Sequence, residues 1–294
     1  MSDGPSPLAA LESWRASRQS FEHKGRTIAF WTAGDGPVLL LIHGFPTASF
    51  DWWRIWDALA GRFRVVAADM LGFGFSDKPA DDAYLIVDQA SLQEALAAHL
   101  GLARTHVLAH DYGVSVAQEL LARQAEGAAT LTVDSAIYLN GGLFPETHRP
   151  TAGQLVLASE AGEAVAAQIT RDTFAAGIQT TFGQGSQPPA EEFDALWAVA
   201  SLQDGHKLMW KVLDYMRQRR EQRERWVGAL TQALVPQRLI NGPVDPASGG
   251  HVAEHYRAQV RDADVVLLDG IGHWPQIEAP QATLAAVLAF HDRL

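Results

Sequence analysis

Three side chains that could together carry out nucleophilic catalysis each stand where a predicted strand ends. They are Asp111, Asp245 and His273, in that order along the chain. A carboxylate can attack an electrophilic carbon and form an alkyl ester, and a neutral imidazole can deprotonate the water that hydrolyses the ester. A second carboxylate can fix the tautomer of the imidazole and stabilise its charged form. We therefore predict Asp111 as nucleophile, His273 as base and Asp245 as its partner acid.

The chain around Asp111 must turn sharply. An apolar, β-branched run over residues 105–109 is typical of a buried strand, and helical spacing begins at Val114. A turn this short lifts its apex residue, Asp111, out of the sheet, with N–H groups of the new helix directed at it. The alternative interpretation is that Asp111 only caps that helix, a position that aspartate often occupies.

A second loop predicts an oxyanion hole beside this turn. His43-Gly44-Phe45-Pro46 follows the apolar run 37–42, whose end should neighbour the end of the strand before Asp111. The backbone N–H of Phe45 could pair with that of Tyr112 and stabilise an oxyanion. The alternative is an ordinary turn between a strand and a helix.

Composition excludes several classes of protein. The chain has 294 residues, a net charge of −11 and no cysteine. This charge argues against a nucleic-acid surface, and the lack of thiols excludes disulfides and thiolate metal sites. No apolar run is long enough to span a bilayer, and residues 1–18 lack the apolar core of a signal peptide. We expect a cytoplasmic protein with no membrane partner, in which residues 1–18 form a loosely held lead-in.

Strand and helix patterns alternate over the first half of the chain, which predicts an α/β fold with a mostly parallel central sheet flanked by helices. From about residue 144 the pattern is helical, and strand character returns near residue 237. We therefore predict a first core segment over 1–143, an inserted all-helical cap over 144–232 and a second core segment over 233–294. The cap should cover the carboxyl edge of the sheet, where open α/β sheets bind ligands.

Several motifs resemble one branch of a known superfamily, and the similarity covers nearly the whole chain. This branch is that of the epoxide hydrolases and haloalkane dehalogenases of the α/β-hydrolase superfamily. The motifs are His43-Gly44-Phe45-Pro46, Gly72-Phe73-Gly74-Phe75-Ser76-Asp77-Lys78-Pro79, His110-Asp111-Tyr112-Gly113 and Gly272-His273. Other segments look closer still to the mesoderm-specific transcript proteins of vertebrates, namely residues 45–52, 140–150 and 225–230.

The resemblance implies an α/β-hydrolase fold, an aspartate nucleophile, a histidine base, a charge-relay acid and no cofactor. The implied partner is a small apolar organic substrate, and the chain is expected to be a monomer or a homodimer. His251 and His255 are four positions apart, as in some metal sites, but no further ligand accompanies them and we expect no metal.

The resemblance leaves the leaving group open. Epoxide opening requires a proton donor, which this branch supplies from cap tyrosines, and Tyr215 is the single tyrosine of the predicted cap. His148 is the candidate for the second donor. Halide release requires side-chain N–H donors, which Phe45 and Tyr112 do not supply at the corresponding positions. We therefore expect an epoxide hydrolase, with a haloalkane dehalogenase or a ligand-binding protein without turnover as alternatives.

Two further sets of residues lie in the predicted cap, namely two tryptophans and five arginines. Trp197 and Trp210 are candidates for the cap side of the substrate pocket, although packing is the alternative. We expect five arginines to form a solvated helix face that Glu221 and Glu224 compensate, namely Arg217, Arg219, Arg220, Arg223 and Arg225.

Overall fold

The computed structural model describes residues 4–232 and 234–294. Its centre is an eight-stranded sheet with the order β1-β2-β4-β3-β5-β6-β7-β8. Strands β3 to β8 run parallel to one another, and the antiparallel hairpin β1–β2 joins through β2 to β4. The predicted mostly parallel sheet is confirmed. The strands are β1 (Gln19–His23), β2 (Arg26–Ala33), β3 (Val38–Ile42), β4 (Arg64–Ala68), β5 (Arg104–His110), β6 (Thr132–Leu139), β7 (Gln237–Asn241) and β8 (Asp264–Leu267).

Strand β3 illustrates why the central strands are apolar throughout. Its side chains point alternately to the two faces of the sheet. Leu40 and Ile42 belong to one hydrophobic cluster, whereas Leu39 and Leu41 belong to another. A parallel strand covered by helices on both faces must therefore be apolar at every position.

Fourteen α-helices accompany the sheet among the described residues. They are α1 (Pro7–Ala16), α2 (Trp53–Ala60), α3 (Ile86–His99), α4 (Tyr112–Ala125), α5 (Ala152–Leu157), α6 (Gly162–Ala166), α7 (Arg171–Gln179), α8 (Ala190–Ala200), α9 (Met209–Val212), α10 (Tyr215–Glu221), α11 (Arg223–Thr231), α12 (Gly250–Gln259), α13 (Pro275–Glu278) and α14 (Pro280–His291).

Between β6 and β7 the described residues contain helices and turns and no strand. This segment holds α5 to α11 and interrupts the sheet at the place where the sequence predicts an inserted cap. The predicted return to the core at residue 233 lies outside the described residues.

The amino-terminal segment differs from its prediction. Instead of a loose lead-in, residues 7–16 form α1, which buries Trp14. The Trp14 ring stacks on Trp31 at 4.9 Å between centroids and meets Trp56 edge-on at 4.8 Å. The indole N–H of Trp31 donates to the Trp14 carbonyl at 2.7 Å. Only two positions of this helix, Leu11 and Trp14, combine a large apolar side chain with burial, which explains why its pattern was weak in the sequence.

None of the helices within residues 4–232 and 234–294 is long and apolar enough to cross a membrane.

Candidate active site

Asp111 lies at the apex of a strained turn between β5 and α4. Its φ of 47° and ψ of −110° are a conformation that residues other than glycine rarely adopt. The turn is so tight that a Cβ at Gly113 would overlap the backbone carbonyl of Ile42 in β3. The Asp111 side chain accepts no capping hydrogen bond from α4. Asp111 therefore stands at the N-cap position of α4, but its carboxylate is not used to cap the helix.

The structure brings together the three residues that the sequence predicts as a triad. Nδ1 of His273 lies 2.7 Å from Oδ2 of Asp245, and Nε2 of His273 lies 3.8 Å from Oδ1 of Asp111. The backbone N–H of Phe45 donates to Oδ2 of Asp111 at 3.0 Å. All three side chains are buried. One ring nitrogen of His273 thus contacts the Asp245 carboxylate, and the other faces the Asp111 carboxylate at the turn.

Asp245 is held by more partners than its sequence neighbours suggest. Its Oδ2 accepts from Asn140 Nδ2 at 2.9 Å and from Ser248 Oγ at 2.6 Å, and its Oδ1 accepts from the Ala247 N–H at 2.8 Å. Burial by itself raises the pKa of Asp245, but the His273 charge and these hydrogen bonds hold it well below its usual range. Sequence reasoning missed Asn140, although a polar residue directly after β6 was an available signal.

The charge state of His273 is set by the two carboxylates beside it. Burial alone lowers the pKa of His273, but Asp245, through its charge and hydrogen bond, and Asp111, through its charge, raise it to about 9. Near neutral pH the resting site therefore holds an imidazolium between two carboxylates.

A cavity of about 560 Å³ opens onto these residues. Asp111, His273 and Phe45 line its floor, and its walls are mostly apolar side chains from α5 and α7, such as Leu157 and Ile178. Its size and character are typical of sites for small organic ligands.

Two polar side chains on the cap side of this cavity are Gln154 and His148. Burial, together with the charge of Arg219, lowers the pKa of His148 to about 4, so this imidazole is neutral near pH 7. The Gln154 side chain has a fixed orientation because its Oε1 accepts from the Thr151 N–H at 2.8 Å. Its Nε2 therefore points to the Tyr215 hydroxyl, 3.1 Å away.

The structure does not place Tyr215 in the cavity wall. The side chain is fully buried, and its hydroxyl accepts the hydrogen bond from Gln154. Burial and the charge of Asp111 raise the pKa of Tyr215. Tyr215 is thus near the site but separated from the cavity by Gln154, a residue that sequence reasoning did not single out.

The two cap tryptophans do not line the cavity either, which corrects the pocket interpretation. Trp197 packs against Phe174 and His206, with ring centroids 5.3 Å and 5.1 Å away. Trp210 faces a separate surface hollow and lies beside Lys211. Because the cap helices are short and joined by turns, helical spacing alone could not tell which of their faces meets the core.

The Tyr112 side chain does not line the cavity, and the oxyanion-hole role of its backbone N–H stays a prediction. Its ring is buried between Phe73 and Tyr215, with centroids 5.6 Å and 5.5 Å away. Its hydroxyl donates to the Tyr84 carbonyl at 3.3 Å.

The expectation of one solvated arginine face is wrong for Arg219 and Arg225. Gln222 separates the helices α10 and α11, so the five arginines do not share one helix face. Arg225 forms ion pairs with Glu119 and Glu126. Arg219 is only 2% exposed and its guanidinium carbon lies 4.3 Å from the centre of the Tyr215 ring.

Comparison with known proteins gives a family model and full-length similarities. The model of the alpha/beta hydrolase fold matches residues 37–280. The mesoderm-specific transcript protein of Mus musculus is 41% identical over 97% of this chain and 89% of its own length. These findings confirm the fold class and the resemblance predicted from the motifs.

Two solved structures have the same fold. An alpha/beta hydrolase fold protein from Burkholderia ambifaria is 27% identical, covers 92% of this chain and 97% of its own, and has a TM-score of 0.76. The epoxide hydrolase CorEH is 20% identical, covers 94% of this chain and 98% of its own, and has a TM-score of 0.77. At that identity the second likeness concerns the fold alone.

Proposed function

The chain belongs to the α/β-hydrolase family, and from this premise we propose that it is an epoxide hydrolase that converts an apolar epoxide to a vicinal diol. The observation that most supports this proposal is the Asp111 carboxylate at the turn, facing an apolar cavity with His273 beside it. A carboxylate nucleophile suits attack on an sp³ carbon, because the product is an ester that water can hydrolyse.

In the first step, Asp111 attacks one epoxide carbon, the carbon–oxygen bond breaks, and an alkoxide forms on the neighbouring carbon. The cap lines the cavity with several polar side chains, and of these we assign Gln154 and His148 the hydrogen bonds to the leaving oxygen; the others are Thr151, Thr173, Thr180 and Thr181. Nε2 of Gln154 carries two hydrogens, of which Tyr215 accepts one. Tyr215 then has the role of holding Gln154, and this replaces its expected role as a direct donor.

In the second step, neutral His273 removes a proton from water, which attacks the ester carbonyl. The N–H groups of Phe45 and Tyr112 stabilise the oxyanion of the tetrahedral intermediate. Asp245 stabilises the imidazolium that forms and keeps Nε2 directed at the water. Collapse of the intermediate releases the diol and restores the Asp111 carboxylate.

The proton balance favours an epoxide over a haloalkane. The resting imidazolium supplies one proton, the alkoxide consumes one, and His273 is left neutral for the second step. A halide leaves without a proton, so a dehalogenase with the same resting site would first have to release the His273 proton to solvent. The charges of Asp245 and Asp111, which raise the pKa of His273 in the resting site, oppose that release before the nucleophile is alkylated.

The direct test is product analysis with a panel of racemic styrene oxide, 1,2-epoxyhexane, 1-bromohexane and 1-chlorohexane. We expect diols from the epoxides and at most traces of free halide, with both activities abolished in the Asp111→Asn variant. Halide release in the absence of diol formation would identify a dehalogenase. Binding of these compounds without turnover would identify a ligand-binding protein and refute the proposal.

A further inference from the structure

The most unusual charge outside the triad is that of Arg219 on α10. Its side chain is 2% exposed, yet it forms no ion pair with any described residue. Nη1 has no hydrogen-bond partner within the described part of the chain. A buried cation without a counterion is costly, so its other contacts must offset that cost.

These contacts all lead to the turn that holds Asp111. Nη2 of Arg219 donates to the backbone carbonyl of Asp111 at 3.2 Å, and Nε donates to the Ser115 hydroxyl at 2.7 Å. Asp111 and Ser115 lie at the two ends of the first turn of α4. The planar guanidinium thus spans the segment that begins with the strained residue.

The location is unfavourable for a cation on electrostatic grounds alone. The amino terminus of a helix carries a partial positive charge, so an arginine there is repelled by the α4 dipole. On its other side the guanidinium packs behind the cavity wall, where a Cβ at Gly142 would overlap it. The group is therefore enclosed between the turn, the cavity wall and the Tyr215 ring.

We propose that Arg219 is a positioning residue for the nucleophile. By holding the Asp111 carbonyl, it keeps the turn in the strained conformation that directs the carboxylate toward the Phe45 N–H and the cavity. Because Arg219 belongs to α10, the geometry of the nucleophile depends on this helix being docked on the core. The catalytic consequence of this role rests on the proposed function, since it takes Asp111 as the attacking group.

The test compares Arg219→Met and Arg219→Lys with Arg217→Met as a matched control on the same helix. Arg217 is half exposed and pairs with Asp214 and Glu221. Two quantities are measured, namely the rate of ester formation with racemic styrene oxide by rapid quench, and the hydrogen exchange of amides 112–116. The exchange requires no substrate and reports directly on the turn.

We expect Arg219→Met to slow ester formation by about 100-fold, because a small misplacement of a reacting group has an effect of this size. Its amides 112–116 should exchange faster than those of the wild type. Arg219→Lys should recover part of the rate, since it restores one donor and the charge. Arg217→Met should stay within about twofold of the wild type on both measures, as expected for an exposed pair. Equal rates and equal exchange in the Arg219→Met and Arg217→Met variants would overturn the proposal.

Two contingencies keep the test decisive. If Arg219→Met does not fold, Ser115→Ala removes one acceptor and retains the cation, and we expect slower ester formation by about tenfold with faster exchange at 112–116. An unchanged Ser115→Ala variant then overturns the positioning role. If the wild type opens no epoxide, the proposed function fails, and the exchange measurement alone decides the role of Arg219.

Discussion

The charge of a few buried side chains determines what the site can do. His273 has its pKa raised to about 9 between two carboxylates, whereas His148 has its pKa lowered to about 4 by burial and by Arg219. Two histidines that line the same cavity are therefore in opposite protonation states near neutral pH. In the proposed mechanism, this difference separates the proton source of the ring-opening step from a neutral hydrogen-bond donor.

The first prediction concerns the pH dependence of ester formation. Because the pKa of His273 is raised, its proton is present below about pH 9 and is lost above it. In the proposed mechanism ring opening uses this proton, so the single-turnover rate of ester formation with styrene oxide should fall as the pH rises through 9. The rate is measured by rapid quench and mass spectrometry. A rate that stays constant through this range would exclude His273 as the proton source.

The second prediction separates Gln154 from Tyr215. Gln154→Leu removes the cavity-facing donor and should reduce the rate of ring opening by about 100-fold, as for loss of an oxyanion donor. Tyr215→Phe removes only the group that holds Gln154 and should reduce it by about tenfold or less. Both rates are measured with 1,2-epoxyhexane. A larger loss in Tyr215→Phe would show that the tyrosine itself is the donor.

At the scale of elements, the strand pattern made the triad predictable. The pattern of the cap helices did not show which of their side chains face the core. The carboxyl ends of parallel strands meet at one edge of a sheet, so recognising β5, β7 and β8 was enough to bring Asp111, Asp245 and His273 together. No comparable rule says which face of a short helix meets the core. The predictions of a solvated Arg219 and of a Trp210 that lines the pocket were therefore wrong.

The third prediction concerns α1, whose packing the sequence did not reveal. Trp14→Ala removes a buried indole stacked on Trp31 and should lower the free energy of unfolding by about 3–5 kcal/mol. Leu8→Ala on the same helix is the control, since Leu8 is 41% exposed and its loss should change stability by less than about 0.5 kcal/mol. Urea denaturation followed by circular dichroism measures both. Equal stability of the two variants would mean that α1 contributes little to the fold.

At the scale of the whole molecule, charge and cavity favour the same class of substrate. The chain carries a net charge of −11, and its cavity has mostly apolar walls above the Asp111 carboxylate. An anionic substrate would be repelled by the molecule and would lose its hydration in the cavity. The composition indicated the electrostatic repulsion. The apolar lining of the cavity depends on how the cap docks, and it became visible only in the structure.

The fourth prediction follows from this combination. We expect kcat/KM for 1,2-epoxyhexane to exceed that for a size-matched epoxide with a terminal carboxylate by at least about tenfold. Raising the ionic strength should narrow this difference in kcat/KM only slightly, because salt screens charges inside a cavity poorly. Preference for the carboxylate would indicate a cationic group other than His273 within reach of the substrate, and the described cavity lining contains no lysine or arginine.

The central claim is that Asp111 becomes covalently bonded to substrate carbon, and the most direct measurement is mass spectrometry of a His273→Gln variant incubated with racemic styrene oxide. In this variant the ester should form more slowly than in the wild type, because the His273 proton is absent, but it should then persist, because its hydrolysis requires a neutral imidazole. We predict a mass increase of one epoxide per chain, located by peptide mapping at Asp111 and absent from the Asp111→Asn/His273→Gln double variant. Wild-type turnover with no adduct in the single variant, or an adduct at another residue, would contradict the account.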